Sequence, residues 1–520
     1  MRSSILLAIS ISLSLSSGVY GQEKSKVTLD KTNKTYTFLA DKGSYISAIV
    51  AAKNDTEISL IDQNSQPIRE VLNVNLKQSR LHFIADYDNP KMIYSGPIPN
   101  VTINRIVSQS EQNNYIQKTD SKLINQAFSM LESGEKTDDV WDILIKNNSP
   151  LIESLDDNSL LTFIYRGAKN NVLIFGAPAN DHGWMERLGK SNIWYKSYKV
   201  PNDTQLSYKL APDVPQFTGE RYEKRVALLA TAQRDANNPY YFPIAAKTKF
   251  EQSSVIDLNN LSNQYLKNAQ SNSIVPALSF ELDSNILKNK RNIKVYRFGD
   301  ITKSNAIQIF MFDGPKYLEK VNLDSKLNTL VNNKLLPPIE AIFIDNLDNK
   351  TRGNELPDNP NFTKMLTSEL LPTIEKNSPV KFSAKQRVLA GSSYGGIGAT
   401  TTAFRRSDIF GNVISLSGSY WWAPKHKKSL NTYYVSENFM IKDLLPINFF
   451  ITAGLFEGSR NGGKGILDGS RHLRDILRMK GYGVHYKEYA GGHDYYVWQS
   501  AIIDGLIALF AKDKVSIADS

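Results

Sequence analysis

An α/β catalytic domain preceded by two small β-sandwich domains is the architecture this sequence predicts. Three observations carry that expectation. From about residue 273 onward, apolar strand-like runs alternate with helix-like stretches, the pattern of a doubly wound sheet. Two earlier regions, 26–107 and 159–250, instead carry short alternating runs broken by turn residues, as sandwiches do. Finally, residues 386–399 pass from an apolar strand-like start through small residues into a helix-like tail.

Taken in order, residues 1–21 start with Arg2, run through apolar residues 5–15 and end on small residues, the layout of a secretory signal. That run is too short to span a bilayer, and no later segment is long and apolar enough to do so. A periplasmic or secreted protein is expected. The 520 residues include no cysteine, which excludes disulfides, a cysteine nucleophile and lipid attachment through cysteine. With 41% hydrophobic and 22% charged residues the chain has ample material for cores. Its formal net charge of +10 fits an anionic ligand or surface, or a merely solvated basic face. Nucleic acid is not an expected partner, because bases and acids interleave and no reader motif occurs.

Within 26–107, runs 45–50 and 81–85 alternate between turn signals; His82 lies in one of them and reads as structural. Residues 108–158 form a helical connector, with apolar positions at helical spacing across 121–147. In 159–250 the strands are 160–165, 172–175 and 206–210, with His182 and Trp184 in a polar turn as candidates for a binding face. The Asn- and Ser-rich stretch 254–272 reads as a linker. The catalytic domain, 273–515, has expected strands at 293–297, 307–312, 339–344, 387–390, 413–416, 448–452 and 483–487. Helices are expected near 317–334, 361–375, 395–405, 466–480 and 496–511.

Inside 386–399, Gly391, Ser393 and Gly395 form G-x-S-x-G, the pattern of a nucleophile elbow. A strand turning sharply into a helix brings the flanking positions together, so they must be glycine, and it exposes the serine hydroxyl. The next backbone N–H, on Tyr394, starts the helix and is placed to hold an oxyanion. This is the signature of an α/β hydrolase, in which acid and then base follow the serine. Of six histidines, His82 and His182 precede Ser393. His472 falls on a helix and His485 in a strand, while His426 lies in a lysine-rich loop. His493, in a glycine-rich loop between the last strand and last helix, is where the base belongs. The acid expected is Glu457, just past the 448–452 strand; Asp468 and Asp494 compete, Asp494 poorly because it adjoins the base. A second oxyanion donor is expected from the turn 311–315. Residues 458–464 resemble a phosphate loop, but Gly465 stands where Ser or Thr would bind magnesium, so nucleotide binding is not expected. Neither a metal nor another cofactor is called for.

These motifs together resemble the enterochelin (enterobactin) esterases, in the esterase D branch of α/β hydrolases. The resemblance covers most of 159–511 and rests on several runs in the right order. They include 163–167 and 185–188, Phe312-Asp313-Gly314, Arg352 to Leu356, Ser417 to Trp422, Ala453 to Glu457 and Gly491 to Asp494. It implies a serine esterase acting on a ferric or apo catecholate siderophore, with Ser393, Glu457 and His493 as nucleophile, acid and base. It also implies Arg352 as a substrate or oxyanion-side cation and Trp421 and Trp422 as flanks for catechol rings, core packing being their other reading. Where relatives commonly have an N–H after Asp-Gly, this chain has Pro315, so Gly314 or Lys316 must donate. Two other functions fit the same residues: a carbohydrate-ester or feruloyl esterase, and a siderophore-binding protein with a vestigial hydrolase site.

Overall fold

The computed structural model describes residues 27–53, 55–74, 77–112, 119–146, 148–179, 183–259, 274–430, 433–459 and 463–511. The signal-like segment 1–21 and His182 lie outside them. The chain divides into two units, Met1–Ile116 and Gln117–Ser520.

The first unit is an antiparallel sandwich. Its strands are β1 (Val27–Asp30), β2 (Thr35–Phe38), β3 (Tyr45–Ala51), β4 (Glu57–Ile61), β5 (Pro67–Leu72), β6 (Gln78–Ile84), β7 (Lys91–Ser95) and β8 (Asn100–Val107). One sheet has the order β1-β2-β7-β4-β5 and the other β6-β3-β8. Period-two alternation turns Phe38, Ile46, Val50, Leu81 and Met92 into a shared core. Phe38 and Phe83, from different sheets, meet edge to face at 5.4 Å. His82 is on the outer face, its Nδ1 3.2 Å from Ser47 Oγ.

The second unit starts with a helical hairpin, α1 (Lys122–Glu132) and α2 (Thr137–Ile145), then a second sandwich. Its elements are β9 (Leu151–Leu155), β10 (Asn158–Arg166), β11 (Val172–Gly176), β12 (Gly183–Trp184), β13 (Glu186–Arg187), β14 (Ile193–Pro201), β15 (Gln205–Pro212), α3 (Arg221–Thr231), β16 (Tyr241–Phe242) and β17 (Ser253–Asp257). The sheets run β13-β14-β10-β9 and β12-β11-β15-β17-β16, with Phe163, Val172, Tyr208 and Ile256 between them. Three expectations need correction. The helical stretch is not a free connector: Ile124, Val140 and Trp141 pack on Ile164 and Tyr195 of the sheet, and β9 pairs with β10. The stretch read as a linker begins with β17, whose apolar Val255-Ile256 pair is buried beneath its Ser- and Asn-rich composition. Helix α3 was not expected in a region that reads as β. Trp184 lies exposed on the short edge strand β12.

The remainder forms an eight-stranded sheet with helices on both faces. Its elements are β18 (Leu278–Ser284), β19 (Asn289–Phe298), β20 (Ile307–Met311), α4 (Gly314–Val321), α5 (Leu323–Asn332), β21 (Ile339–Ile344), α6 (Asn349–Glu355), α7 (Pro360–Met365), α8 (Leu371–Asn377), β22 (Arg387–Ser392), α9 (Tyr394–Arg405), β23 (Asn412–Leu416), α10 (Tyr434–Ile441), β24 (Asn448–Gly454), α11 (Ile466–Met479), β25 (Gly483–Tyr489) and α12 (Tyr495–Phe510). The strand order is β18-β19-β21-β20-β22-β23-β24-β25. The first two strands are antiparallel to their neighbours; from β21 onward pairing is parallel. Strands buried on both faces, such as β20 and β21, are apolar for that reason except at Gln308 and Glu340, which meet when the Gln308 amide donates to the Glu340 carboxylate at 2.7 Å. This is the α/β-hydrolase arrangement, and it places the carboxyl ends of β20, β22, β24 and β25 along one edge.

Local breaks refine the expected helices. Asn322 takes a left-handed conformation (φ 50°, ψ 47°) and divides the expected 317–334 helix into α4 and α5. A π-helical turn, Leu366–Leu370, joins α7 to α8 just before Pro372, which has no N–H to continue the ladder. Among the described residues no helix is long and apolar enough to cross a membrane.

Under the sheet edge, the Arg291 guanidinium is fully buried and pairs with Glu355 at 2.8 Å. Asn289 Nδ2 donates to the other Glu355 oxygen at 2.6 Å, and Arg291 Nη1 to Asp345 O at 3.3 Å. Removing one partner leaves a buried charge without compensation. Glu355→Ala is expected to destabilise this unit by about 3–5 kcal/mol, read as a lowered denaturant midpoint.

Candidate active site

Ser393 stands between β22 and α9 with φ 58° and ψ −118°, a conformation that costs a non-glycine residue energy. Gly391 is required by close approach. A Cβ on Gly391 would come within 2.6 Å of the Gly395 carbonyl carbon. The turn leaves the Tyr394 N–H without an acceptor among the described residues, pointing the helix start at the same place.

The turn after β20 is the other half. Asp313 is buried and left-handed (φ 57°, ψ 32°), and α4 begins at Gly314. Lys316 N–H donates to Asp313 O at 3.0 Å and is therefore unavailable. Of the two expected donors only Gly314 keeps a free N–H among the described residues. A Cβ at Gly314 would meet the backbone of Ile344 and Phe343 at 2.6–2.7 Å, so the turn closes only with glycine there.

Arg352 ties these two turns together. Its Nε and Nη2 donate to Asp313 Oδ1 and Oδ2 at 2.6 and 2.7 Å, and Nη2 also reaches Ser392 O at 3.1 Å. Asn346 donates to the same Asp313 carboxylate. Arg352, expected as a substrate or oxyanion-side cation, lines the cavity, and most of its guanidinium fork is engaged by the scaffold. The fork geometry suits a carboxylate, which a lysine would not reproduce.

His493 and Glu457 meet as expected, Nδ1 to Oε1 at 2.5 Å. Glu457 is buried, and its second oxygen accepts Gly454 N–H at 2.6 Å. That fixes the carboxylate and leaves the far ring nitrogen of His493 for chemistry. Trp498 packs edge-on against the imidazole at 4.8 Å, its own Nε1 donating to Ser417 Oγ at 3.0 Å. The loop carrying His493 rests on the second sandwich. Gln205 N–H donates to Ala490 O at 2.9 Å, and Ser207 N–H to Asp494 Oδ2 at 3.4 Å. A Cβ on Gly492 would lie 2.6 Å from Ala177 Cβ.

The competing acids have other roles. Asp468 caps α11 through Gly465 N–H, and Asp494 caps α12 through Tyr496 and Val497 N–H. His426 is exposed, His485 lies in β25, and His472 stacks on Tyr433 at 4.4 Å. Residues 460–462 of the glycine-rich loop lie outside the described residues.

Ser393, His493, Asp313, Arg352 and Trp498 line one cavity of about 490 Å³. The relay is closed only on its Glu457–His493 side. Among the described residues the Ser393 hydroxyl has Ser419 Oγ as its partner, at 3.3 Å, and makes no hydrogen bond to His493. Hydrogen bonds of this kind are commonly long before substrate enters. Trp421, partly exposed, stands beside the Tyr394 ring at 6.1 Å. Trp422 turns the other way, packing on Tyr434 at 6.0 Å and on the main core, so of the two readings core packing holds for it. Ser419, Trp498 and Asn346 escaped sequence reasoning because each acts through a neighbour distant in the chain. Among the described residues no cluster of acids and histidines has the form of a metal site.

Two family descriptions match the chain: "Putative esterase" over residues 284–509 and "Enterochelin esterase, N-terminal" over residues 160–264. The iron(III) enterobactin esterase of Dickeya dadantii (strain 3937) is 26% identical over 438 residues, covering 76% of this chain and 98% of that protein. The iron(III) salmochelin esterase of Escherichia coli O6:H1 is 24% identical over 389 residues, covering 71% and 92%. The crystal structure of the enterobactin esterase from Shigella flexneri in the presence of enterobactin shares the fold, with TM-score 0.57 at 24% identity, covering 72% of this chain and 98% of that one. Fold and matches together define a carboxylic ester hydrolase of the α/β-hydrolase class. The two matched regions follow one another in this chain, which is similar to iron(III) enterobactin esterases along most of its length. The first sandwich lies outside both family matches.

Two outcomes follow from this geometry. Arg352→Lys should loosen both turns at once, lowering kcat about 10- to 100-fold with KM little changed, in steady-state kinetics on any ester that is turned over. Burial raises the Asp494 carboxyl from its ordinary 3.8 to about 6. A raised carboxyl pKa stabilises the fold fully at low pH, and that contribution is lost as pH rises from about 4 to about 6. Asp494→Asn keeps the helix cap but lacks this loss. Its stability relative to the parent should therefore rise across that window and level off above it, in thermal melts at stepped pH.

Proposed function

We propose that this chain is a serine esterase that opens the ester bonds of a catecholate siderophore, enterobactin-like, for iron acquisition. The observation that carries the proposal is the pairing of a buried Glu457–His493 couple with a strained Ser393 on one cavity. Support for the substrate comes from the relatives, which are named for iron(III) enterobactin and iron(III) salmochelin.

In the proposed reaction, His493 Nε2 takes the Ser393 proton as Oγ attacks the ester carbonyl. Glu457 holds Nδ1–H and stabilises the imidazolium. The oxyanion is received by the Tyr394 and Gly314 N–H groups, which have no acceptor of their own among the described residues. His493 returns the proton to the departing seryl hydroxyl, and water activated by His493 then releases the acid. The seryl hydroxyl must first leave Ser419 for His493.

That same Ser393–Ser419 contact favours a second reading, a siderophore-binding protein whose hydrolase site is vestigial. Products decide between the two. Incubation with ferric and iron-free enterobactin, followed by mass spectrometry, should show linear dihydroxybenzoyl-serine oligomers and the dihydroxybenzoyl-serine monomer. Tight binding without such products supports the second reading. Ser393→Ala should lower turnover by about 10⁴-fold or more while leaving ligand binding nearly intact; retained turnover removes Ser393 from its role.

The expected export of the chain, read from residues 1–21, is also proposed. Cell fractionation with N-terminal sequencing of the mature chain tests it: a start near residue 22 supports export, and an intact Met1 opposes it.

A further inference from the structure

Among the described residues two hydroxyl side chains line the catalytic cavity, Ser393 and Tyr495. The first is the proposed nucleophile, and the reaction as written gives the second no part. Tyr495 opens α12, two residues beyond His493. Its side chain is half-buried, and its hydroxyl makes no hydrogen bond among the described residues.

The ring is held on three sides. It meets Tyr317 of α4 edge to face at 5.3 Å and Trp498 of its own helix at 5.0 Å. The Lys320 ammonium stands 5.0 Å from its centre. Trp498 in turn packs on the His493 imidazole, and Tyr317 is fully buried on the helix that begins at Gly314. Tyr495 thus stands between the base and the helix that carries an oxyanion donor. A hydroxyl on a ring fixed in this way needs no reorganisation to donate when charge develops beside it.

The surroundings locate the hydroxyl end. Burial raises the Tyr495 phenol well above its ordinary pKa, Asp313 raises it further, and Arg352 draws it back. The same phenol acts in return on Tyr317 and on the Arg352 guanidinium. Such charge interactions fade with distance, so the hydroxyl lies near the Asp313–Arg352 pair. Asp313 directly precedes Gly314, and Arg352 binds the carbonyl of Ser392, one residue before the nucleophile. This side of the cavity is short of donors. Pro315 has no N–H, and the Lys316 N–H is taken by Asp313 O at 3.0 Å, which leaves α4 with Gly314 alone.

We infer that Tyr495 is a further catalytic residue: its hydroxyl donates a hydrogen bond to the ester carbonyl oxygen as that oxygen becomes an oxyanion, beside the Tyr394 and Gly314 N–H groups. The inference rests on the esterase reading and deepens it by naming a third donor at the same site. The proton stays on Tyr495 throughout, and the hydrogen bond strengthens as negative charge builds up on its acceptor. A phenol held above its ordinary pKa remains protonated, and so a donor, at every pH at which His493 begins to act as a base.

The test is Tyr495→Phe, which keeps the ring beside Tyr317, Trp498 and Lys320 and removes only the hydroxyl. Steady-state kinetics are measured on enterobactin and on p-nitrophenyl butyrate, which has the carboxylic ester but no catechol. Turnover is expressed per serine labelled to completion by a fluorophosphonate, so unfolded chain does not count. The variant should lower kcat about 10- to 100-fold on both esters with KM little changed. The acid limb of its kcat/KM profile, set by His493, should stay where it is in the parent. If Tyr495 merely props Trp498 and His493, phenylalanine serves as well, and an unchanged kcat overturns the inference. A loss confined to enterobactin also overturns it, because the hydroxyl then meets the catechols rather than the reacting carbonyl. So does a displaced acid limb, which would put the effect on the imidazole. A parent chain that hydrolyses neither ester fails the esterase reading, and the role of Tyr495 falls with it; an active parent with an equally active Tyr495→Phe removes Tyr495 alone.

Discussion

The contact between strand β15 of the second sandwich and the loop 490–494 is the constraint on which the site depends. His493 sits in a glycine-rich stretch that has little structure of its own to hold it. Its position comes from Gln205 and Ser207 on one side and from the Asp494 helix cap on the other. The close approach of Ala177 to Gly492 leaves no room for a side chain there. The accessory sandwich is thus part of the apparatus that aims the imidazole.

A second constraint lies on the other side of the cavity. Ser393 and Asp313 both have positive φ, and each opens a helix whose first N–H is free. Such turns are costly alone and persist only when surroundings determine them. Arg352 supplies that determination by bonding Asp313 and the Ser392 carbonyl together. Pro315 then has no harmful effect on the turn. It removes an N–H at a position where a helix start has a surplus of donors, and Gly314 remains.

The chain's basic excess pointed only to an anionic ligand or to a solvated surface. The fold collects Arg225 from α3 and two lysines from α4 onto one cavity. These residues are over ninety positions apart in part, and their convergence follows from how the sandwich meets the sheet.

Much was legible in the residues themselves. The parallel strands announce themselves because burial on both faces demands mainly apolar runs, as in 307–311 and 339–344, broken only by Gln308 and Glu340. Gly391 and Gly395 mark the elbow because a Cβ on Gly391 would strike the Gly395 backbone. Glu457 and His493 follow from chain order. Less visible were β17, which hides in a polar stretch, and α3, whose apolar face is exposed and so gives no burial signal. The sequence alone determined which local geometries are sterically allowed and which side chains bear the chemistry. Only the tertiary structure decided that Arg352 would be held by Asp313, that Trp422 would face the core, and that the seryl hydroxyl would rest on Ser419. Those outcomes depend on contacts between residues far apart in the chain, and no local pattern records them.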